Sequence, residues 1–480
     1  MRAFFLLTAS ALLLGACTAG LDYAGPPALS SAAQAEQFAR AGEGALPSEP
    51  TLAEWWTTLC DPVLDELEER ALQDNPGIAA AQARVRQARS SVWLERADRL
   101  PQLAASAIYA HAELPGTDLG DEEEGQAGDD GTALDVFNLG VNASWELDFA
   151  GGQRRNIEAV SAQAAAAVAN VADAQVQLTA ELAQAYVNLR ERQTRLQSLR
   201  EQHALQQQAL SLAQQRFESG TIAAFEVEQA RRALDGIEAD IIAAEIEQDI
   251  YLNAVAVLTG SAPGSLDTLL ATAAEIPLPP AEVAVGDPGS LLQRRPDVRG
   301  AERAIAAATA RIGIAEAARY PRISFMGILG LGGSTPEDLF DLDKLSTIAL
   351  PQIQWSFLDF GRTRARIEQS QAALDEAEAQ YRQTVLGALQ DAEDSLVRFG
   401  RQRHSVAALA RIHASTQRSA DLMRQRYDAG VAPLTQSLDA DRQALVAEQN
   451  LRQASAALTG SYIAVQKSLG LGWMDGAEKG

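Results

Sequence analysis

The residue whose type and position most directly imply chemistry is Cys17. Arg2, an apolar run from Phe4 to Leu14 and then Leu14-Gly15-Ala16 lead up to it, the pattern at which an export leader is cut and the freed cysteine acylated. The apolar run is too short to cross a bilayer as a helix. Residues 1–16 are therefore read as a lipoprotein signal peptide, with a covalent N-terminal lipid expected on Cys17. Thr18, where an aspartate would change the sorting, resembles the pattern of lipoproteins sent to the outer membrane. Cys60 is the only other cysteine, so no disulfide framework exists and stability must come from packing. The four histidines, His111, His203, His404 and His413, are too scattered to form a metal-ligand spacing. No phosphate-cradling glycine loop, zinc-protease helix or nucleophile elbow is present, and Gly330-Leu331-Gly332-Gly333 is a weak glycine cluster at a strand end. The chain is expected to be no enzyme and to hold no metal and no cofactor beyond its lipid. Its formal net charge of -24 argues against a nucleic-acid partner and favours cations.

The elements that position these residues come in two copies, roughly 210 residues apart. The first copy reads WELDFAGGQRR (Trp145 to Arg155), RFESG (Arg216 to Gly220) and LTG (Leu258 to Gly260). WSFLDFGRTRAR (Trp355 to Arg366), RYDAG (Arg426 to Gly430) and SLG (Ser468 to Gly470) form the second. Leu72 to Pro76 before the first copy answers Leu292 to Pro296 before the second.

Leu134 to Phe149 alternates between an apolar set (Phe137, Leu139, Val141, Ala143, Trp145, Leu147) and a polar set (Asn138, Asn142, Ser144, Glu146), the mark of a strand between a greasy and an aqueous face. Weaker alternation follows at Ile323 to Leu331 and Ile353 to Phe357, and Leu103 to His111 completes four strands. At about ten residues each they are long enough to cross a bilayer at a tilt. Four strands cannot close a barrel, and an open edge in lipid leaves unpaired backbone groups. The chain is expected to finish the barrel by self-association, a trimer giving about twelve strands. The acidic segment Gly116 to Gly131 matches no calcium-loop spacing and is read as a solvated surface loop.

From Gln153 to Phe217 there is neither proline nor glycine, and a seam runs through Leu178, Leu182, Ala185, Leu189, Leu196, Leu199, Leu210 and Phe217. The second copy has its own at Val385, Leu389, Ala392, Leu396 and Phe399. Arg192, His203 and Gln206 interrupt the first seam, which suits a wall of many helices, wet on both broad faces, better than a dry pair. Gly220 and Gly430 fall where each helix must reverse. Asp148-Phe149 and Asp359-Phe360 are expected to cap the helix starts.

Taken in order and duplicated, the lipidation pattern, Trp55-Trp56, Asp61-Pro62, Asn75-Pro76, Arg294-Arg295-Pro296-Asp297-Val298, Tyr320-Pro321 and the two Leu-Asp-Phe turns resemble the TolC-like outer-membrane efflux channels, lipoprotein branch. The resemblance covers nearly the whole mature chain. It implies a mixed α and transmembrane β fold, with a homotrimer forming a twelve-stranded outer-membrane barrel and a periplasmic α-helical barrel. A passive conduit for small molecules is implied, docked to a periplasmic adaptor (a membrane fusion protein) and an inner-membrane pump. It places adaptor docking at the tips: Arg216, Gly220 and Thr221, with Arg426, Gly430 and Val431. Ser437 to Leu445 matches the segment that carries gate aspartates in the family. Asp439 falls on the second gate position and Gln436 on the first, where an aspartate is the family's residue. Glu226 and Glu228 are the candidate first-copy counterparts, the repeat offset being ambiguous there by one residue, and Arg231 and Arg442 the candidate ion-pair partners.

The expected organisation is a lipid-anchored extended segment over 17–60, then a first repeat over 61–270 with strands 101–113 and 134–149 and a hairpin 152–258. A linker 271–288, a second repeat 289–470 with strands 321–333 and 348–359 and a hairpin 361–469, and a tail 471–480 complete it. The competing reading is a coiled-coil periplasmic adaptor or scaffold lipoprotein, which would carry one hairpin rather than two.

Overall fold

A computed structural model describes residues 18–27, 35–42, 44–51, 53–114 and 132–473. The leader, Cys17, the acidic loop 116–131 and most of the tail lie outside them. Two-residue strands β1 (Ala45–Leu46) and β4 (Val283–Ala284) pair in parallel, and a 3-10 turn at Trp55–Leu59 precedes α1 (Pro62–Asp74) and α2 (Pro76–Asp98). Long strands β2 (Gln102–Leu114) and β3 (Thr132–Leu147) lead into α3 (Gly152–Glu218), α4 (Ala224–Leu258) and the single turn α5 (Asp267–Leu270). The second copy repeats the order: α6 (Pro288–Arg294), α7 (Pro296–Ala317), β5 (Arg322–Gly333), β6 (Leu345–Gln354), α8 (Arg362–Asp428) and α9 (Leu434–Ser468). Among the described residues no helix is long and apolar enough to cross a membrane.

The chain divides into two compact units, and neither is a sequence repeat. Residues 1–26, 86–165 and 302–379 form one, and 27–85, 166–301 and 380–480 the other. Each unit takes corresponding pieces from both copies, so the duplication is a feature of the chain rather than of its compact bodies.

In the first unit the four long strands make one antiparallel sheet in the order β2-β3-β5-β6. Its register puts Leu139 opposite Ala107 and Leu331, Val141 opposite Ala105 and Leu329, and Trp145 opposite Phe325. One face is therefore apolar across all four strands, except at Thr347 and, toward the acidic loop, at His111 and Asp135. Tyr109 stacks on Phe137 with centroids 4.8 Å apart, and Asp135 receives Tyr109 and pairs with His111 at the end toward the acidic loop. On the other face Asn142 donates to Ser106 over 2.9 Å. There Gly140 faces Gly330 so closely that a Cβ on Gly140 would lie 2.6 Å from the Leu329 carbonyl oxygen.

Both strands that lead into long helices end earlier than their alternation implies. The strand expected over 134–149 spans Thr132–Leu147, and that expected over 348–359 spans Leu345–Gln354, leaving Trp355 and Phe357 outside the sheet. The cause is capping. Asp148 accepts the Gln153 and Arg154 amides, each over 3.0 Å, and Asp359 accepts those of Gly361 and Thr363, so each chain leaves the ladder before its aspartate. The Thr363 hydroxyl and amide hold the Asp359 carboxyl below the usual carboxylate range. The tryptophans stay tied to equivalent carbonyls: Trp145 donates to Arg99 over 3.0 Å and Trp355 to Arg319 over 3.1 Å.

An N-terminal strap lies on the first elbow. Thr18 packs against Gly151, Ala19 donates its amide to the Ala150 carbonyl, and Arg155, 3% exposed, donates to the Ala19 and Gly20 carbonyls and to Asp22. The corresponding second-copy residue is Ala365, and nothing lies within 4 Å of a Cβ placed on Gly361.

In the second unit Leu64, Leu67, Leu182, Tyr186, Leu189, Tyr462 and Val465 are fully buried or nearly so. The seam is buried through Leu199 and half-buried at Leu210 and Leu389, while Phe217 is half-exposed because it has reached the helical turn. Asp61 caps α1 and accepts the Tyr186 hydroxyl over 2.6 Å. Glu68 is fully buried with neither carboxyl oxygen partnered, and desolvation followed by the nearby Asp65 pushes its pKa well above the usual carboxylate value.

The two preambles have matching tasks. Asn75 donates to the Leu258 carbonyl at the end of α4 over 2.9 Å, and Arg295 donates to the Ser468 carbonyl at the end of α9 over the same distance. Each sits before the proline that opens the next helix and satisfies a terminal carbonyl of the returning one. Arg295 also forks onto Asp297 at 3.0 and 2.6 Å. Arg295→Ala is expected to destabilise the protein by about 2–4 kcal/mol and Asn75→Ala by about 1 kcal/mol, the difference between charge-assisted and neutral hydrogen bonds. Denaturant titration of both variants, followed by the fluorescence of the six tryptophans, checks the order.

Candidate functional site

Both hairpin turns close through the same backbone bonds. The Gly220 amide donates to the Phe217 carbonyl over 2.9 Å and the Thr221 amide to that of Arg216 over 2.9 Å; Gly430 to Tyr427 and Val431 to Arg426 measure 2.8 and 2.9 Å. This is the Schellman closure of a helix end, and it places each glycine in the left-handed region at φ 70° and 73°. A Cβ on either would meet nothing within 4 Å, so glycine is there for its backbone and not for space.

The tips differ in their side chains. Ser219 and Thr221 both donate hydroxyls to the Arg216 carbonyl, at 2.9 and 2.8 Å. Ala429 and Val431 replace them in the second copy, leaving Val431 65% exposed above a buried Ala432. Phe225 stands 73% exposed at the start of α4.

The geometry removes the one-residue ambiguity in the repeat. α3 and α8 are each 67 residues long and α4 and α9 each 35, and the two turns superpose residue for residue. Asp439 therefore corresponds to Gln229, Gln436 to Glu226 and Leu438 to Glu228. Glu226 is thus the counterpart of the first gate position, Gln436, while Glu228 answers neither gate position and Asp439 is answered by Gln229.

Asp439 projects from an exposed face of α9, 53% exposed, where Arg442 donates to it over 2.8 Å and Gln443 over 2.8 Å. Gln436 shares that exposed side, whereas Ser437 and Leu438 between them are buried. Arg231 approaches Glu228 at 3.5 Å, and Glu226 lies exposed in the first turn of α4. The tip residues and charged residues of each copy thus occupy one end of one hairpin. Asp441 was not anticipated: it pairs with Arg424 over 2.6 Å and ties α8 to α9. First-copy equivalents Arg231 and Gln214 cannot make that pair. The signal was available, since opposite charges 17 residues apart flank the turn. Among the described residues no cluster has the makings of a metal site. Carboxylates, guanidiniums and amides around a helical turn can attract, repel and dock.

The model of the family described as "Outer membrane efflux protein" matches residues 67–261 and 288–471, one stretch in each copy. The pyoverdine export outer membrane protein OpmQ of Pseudomonas aeruginosa is 29% identical over 97% of this chain and 96% of its own. The toluene efflux pump outer membrane protein TtgF of Pseudomonas putida is 28% identical over 98% of both. The solved outer-membrane channel OprN is 30% identical, covers 95% of this chain and all of its own, and gives a TM-score of 0.81. With its apolar-faced sheet and its two long hairpins, the chain belongs to the outer membrane efflux protein family and is an efflux channel of the outer membrane.

Proposed function

We propose that three copies assemble into a passive, non-catalytic conduit in which the sheets close a twelve-stranded barrel and the hairpins form a periplasmic tunnel. The observation that carries this reading is the sheet, with one apolar face and two long edges, β2 and β6, that each have one neighbour among the described residues. An edge in lipid is costly unless another strand covers it. Ile242, Ile246, Ile250 and Val257 add support as an exposed apolar stripe on one side of α4, which a second copy would cover. An adaptor or scaffold would have no use for such a sheet.

The tips are proposed to dock a periplasmic adaptor and, through it, an inner-membrane pump, with Arg216, Gly220, Thr221, Arg426, Gly430 and Val431 at the contact. Their chemistry fits: an apolar residue and a basic one stand exposed beside a tight turn. The cargo is chosen by the pump, a reading supported by relatives of nearly equal similarity whose names cite cargos as unlike as pyoverdine and toluene. A lipid on Cys17 is proposed to anchor the N-terminus, and the strap held by Arg155 favours it by fixing residues 18–22 at the foot of the sheet. Asp439 is proposed to ring the aperture with one carboxylate per copy, partly neutralised by Arg442.

Full-length protein is expected to migrate as a heat-labile trimer and to conduct ions in planar bilayers; a monomer with no conductance would overturn the reading. Gly430→Glu is expected to keep the trimer but to cut crosslinking to the adaptor about tenfold, since it sets both charge and backbone strain into the contact. Asp439→Ala should lower cation selectivity by a factor of about two or more, while Asp441→Asn, which loosens the hairpin without touching the aperture, should leave selectivity as it was. Equal selectivity in the wild type and Asp439→Ala would remove Asp439 from the gate.

A further inference from the structure

A cavity of about 720 Å³ opens at the elbow where β3 passes into α3, bounded also by the end of α7, the start of β5 and the first turns of α8. Phe149 and Pro321 give it an apolar wall, and Arg311, Arg322 and Arg366 bring three guanidiniums to its rim. None of the three makes a hydrogen bond or ion pair among the described residues, in a chain whose net charge is -24. Two carboxylates also line the cavity. Asp148 is already committed to the α3 cap and to Arg154 at 3.1 Å, and Glu146 alone cannot neutralise three arginines. The cavity is therefore an electropositive pocket with a greasy side, made for an amphiphilic anion.

Its level in the fold selects the anion. Trp145 and Phe325, 6.2 Å apart, lie one rung before Leu147 and Ile323 close the apolar face of the sheet, and Phe149 stands 44% exposed beyond them. Aromatic residues of this kind mark the membrane interface, and lipid phosphates lie directly past it. We propose that this pocket binds the phosphate of an anionic glycerophospholipid from the periplasmic leaflet, the arginines forking onto its oxygens and Phe149 and Pro321 meeting the glycerol and upper acyl chain. The proposal rests on the sheet spanning the outer membrane. A free phosphate would use the arginines and ignore the apolar wall.

The test uses delipidated full-length trimer titrated with phosphatidylglycerol and read by native mass spectrometry. One saturable lipid per protomer is expected, retained in the presence of excess inorganic phosphate. Arg311→Gln/Arg322→Gln/Arg366→Gln should weaken binding at least about tenfold, the loss expected on removing charge-assisted hydrogen bonds. The corresponding triple lysine variant should recover much of it, and Phe149→Ser should weaken lipid while leaving any phosphate binding unchanged. The single glutamine variants, each expected to lose severalfold, carry the test should the triple variant not assemble. Equal lipid retention by the wild type and the glutamine variants would overturn the proposal, as would ready displacement by inorganic phosphate, which would make the pocket a small-anion site. Bilayer conductance recorded on the same preparations separates the two readings: if it persists while lipid binding fails, only the pocket assignment is lost.

Discussion

An unpaired strand edge is the constraint on which the rest of this structure depends. Each backbone amide and carbonyl left without a partner in hydrocarbon costs several kcal/mol, and a sheet of four strands has two such edges. A water-soluble domain could cover an edge with a loop or a charged side chain. Here the face between the edges is apolar across all four strands, which forbids that solution and leaves other strands as the natural cover. The duplication follows from the same constraint. One strand pair per copy, always followed by a long hairpin, multiplies strands without inventing a new element, and the sheet order β2-β3-β5-β6 is what two such pairs laid side by side produce.

The correspondence of the copies is physical as well as sequential. Tryptophans at equivalent places bond equivalent carbonyls, and an aspartate caps each long helix. The residue before a proline ties off each returning helix, though the chemistry has changed from an amide in Asn75 to a guanidinium in Arg295. That exchange is informative. The common requirement is a donor aimed at the last carbonyls of a helix; Arg295 meets it with reach to spare for Asp297 and a long-range approach to Asp391 at 3.6 Å.

The sequence made the strands and their faces legible because period two is a local signal and an apolar face in lipid has no competing use. It misplaced the strand ends, since the alternation runs on through Phe149 and Phe357 while the aspartate caps withdraw the backbone from the ladder first. Capping by Asp148 and Asp359 is itself readable, whereas how far before the cap the backbone leaves the ladder depends on the geometry of the elbow. Glu68 was hidden altogether: within Glu66-Leu67-Glu68-Glu69 it looks like any solvated helix residue, and only packing from other elements reveals that it is sealed in. The Arg424–Asp441 pair is legible only as opposite charges flanking a turn, and the distance that joins them depends on how the two helices pack.

Two differences between the copies fall at the ends of the hairpins. At the elbow, the first copy has Arg155 and a glycine pressed by Thr18, while the second has Ala365 and an unencumbered glycine. A single N-terminus can lie on only one of two elbows, so this asymmetry is forced by there being one chain start for two repeats. At the tips no such necessity applies. One turn is braced by two hydroxyls and the other by an ion pair between its helices, and each solution stabilises its hairpin adequately without the other. A difference that folding does not demand is the kind that a partner can use. Hydroxyl bracing fixes the first turn locally, within five residues, whereas the Arg424–Asp441 bridge holds the second by coupling two helices and yields if either charge is drawn away. If one tip responds to a docking partner, the second has the more yielding brace, a bridge between two helices rather than a bond within one turn.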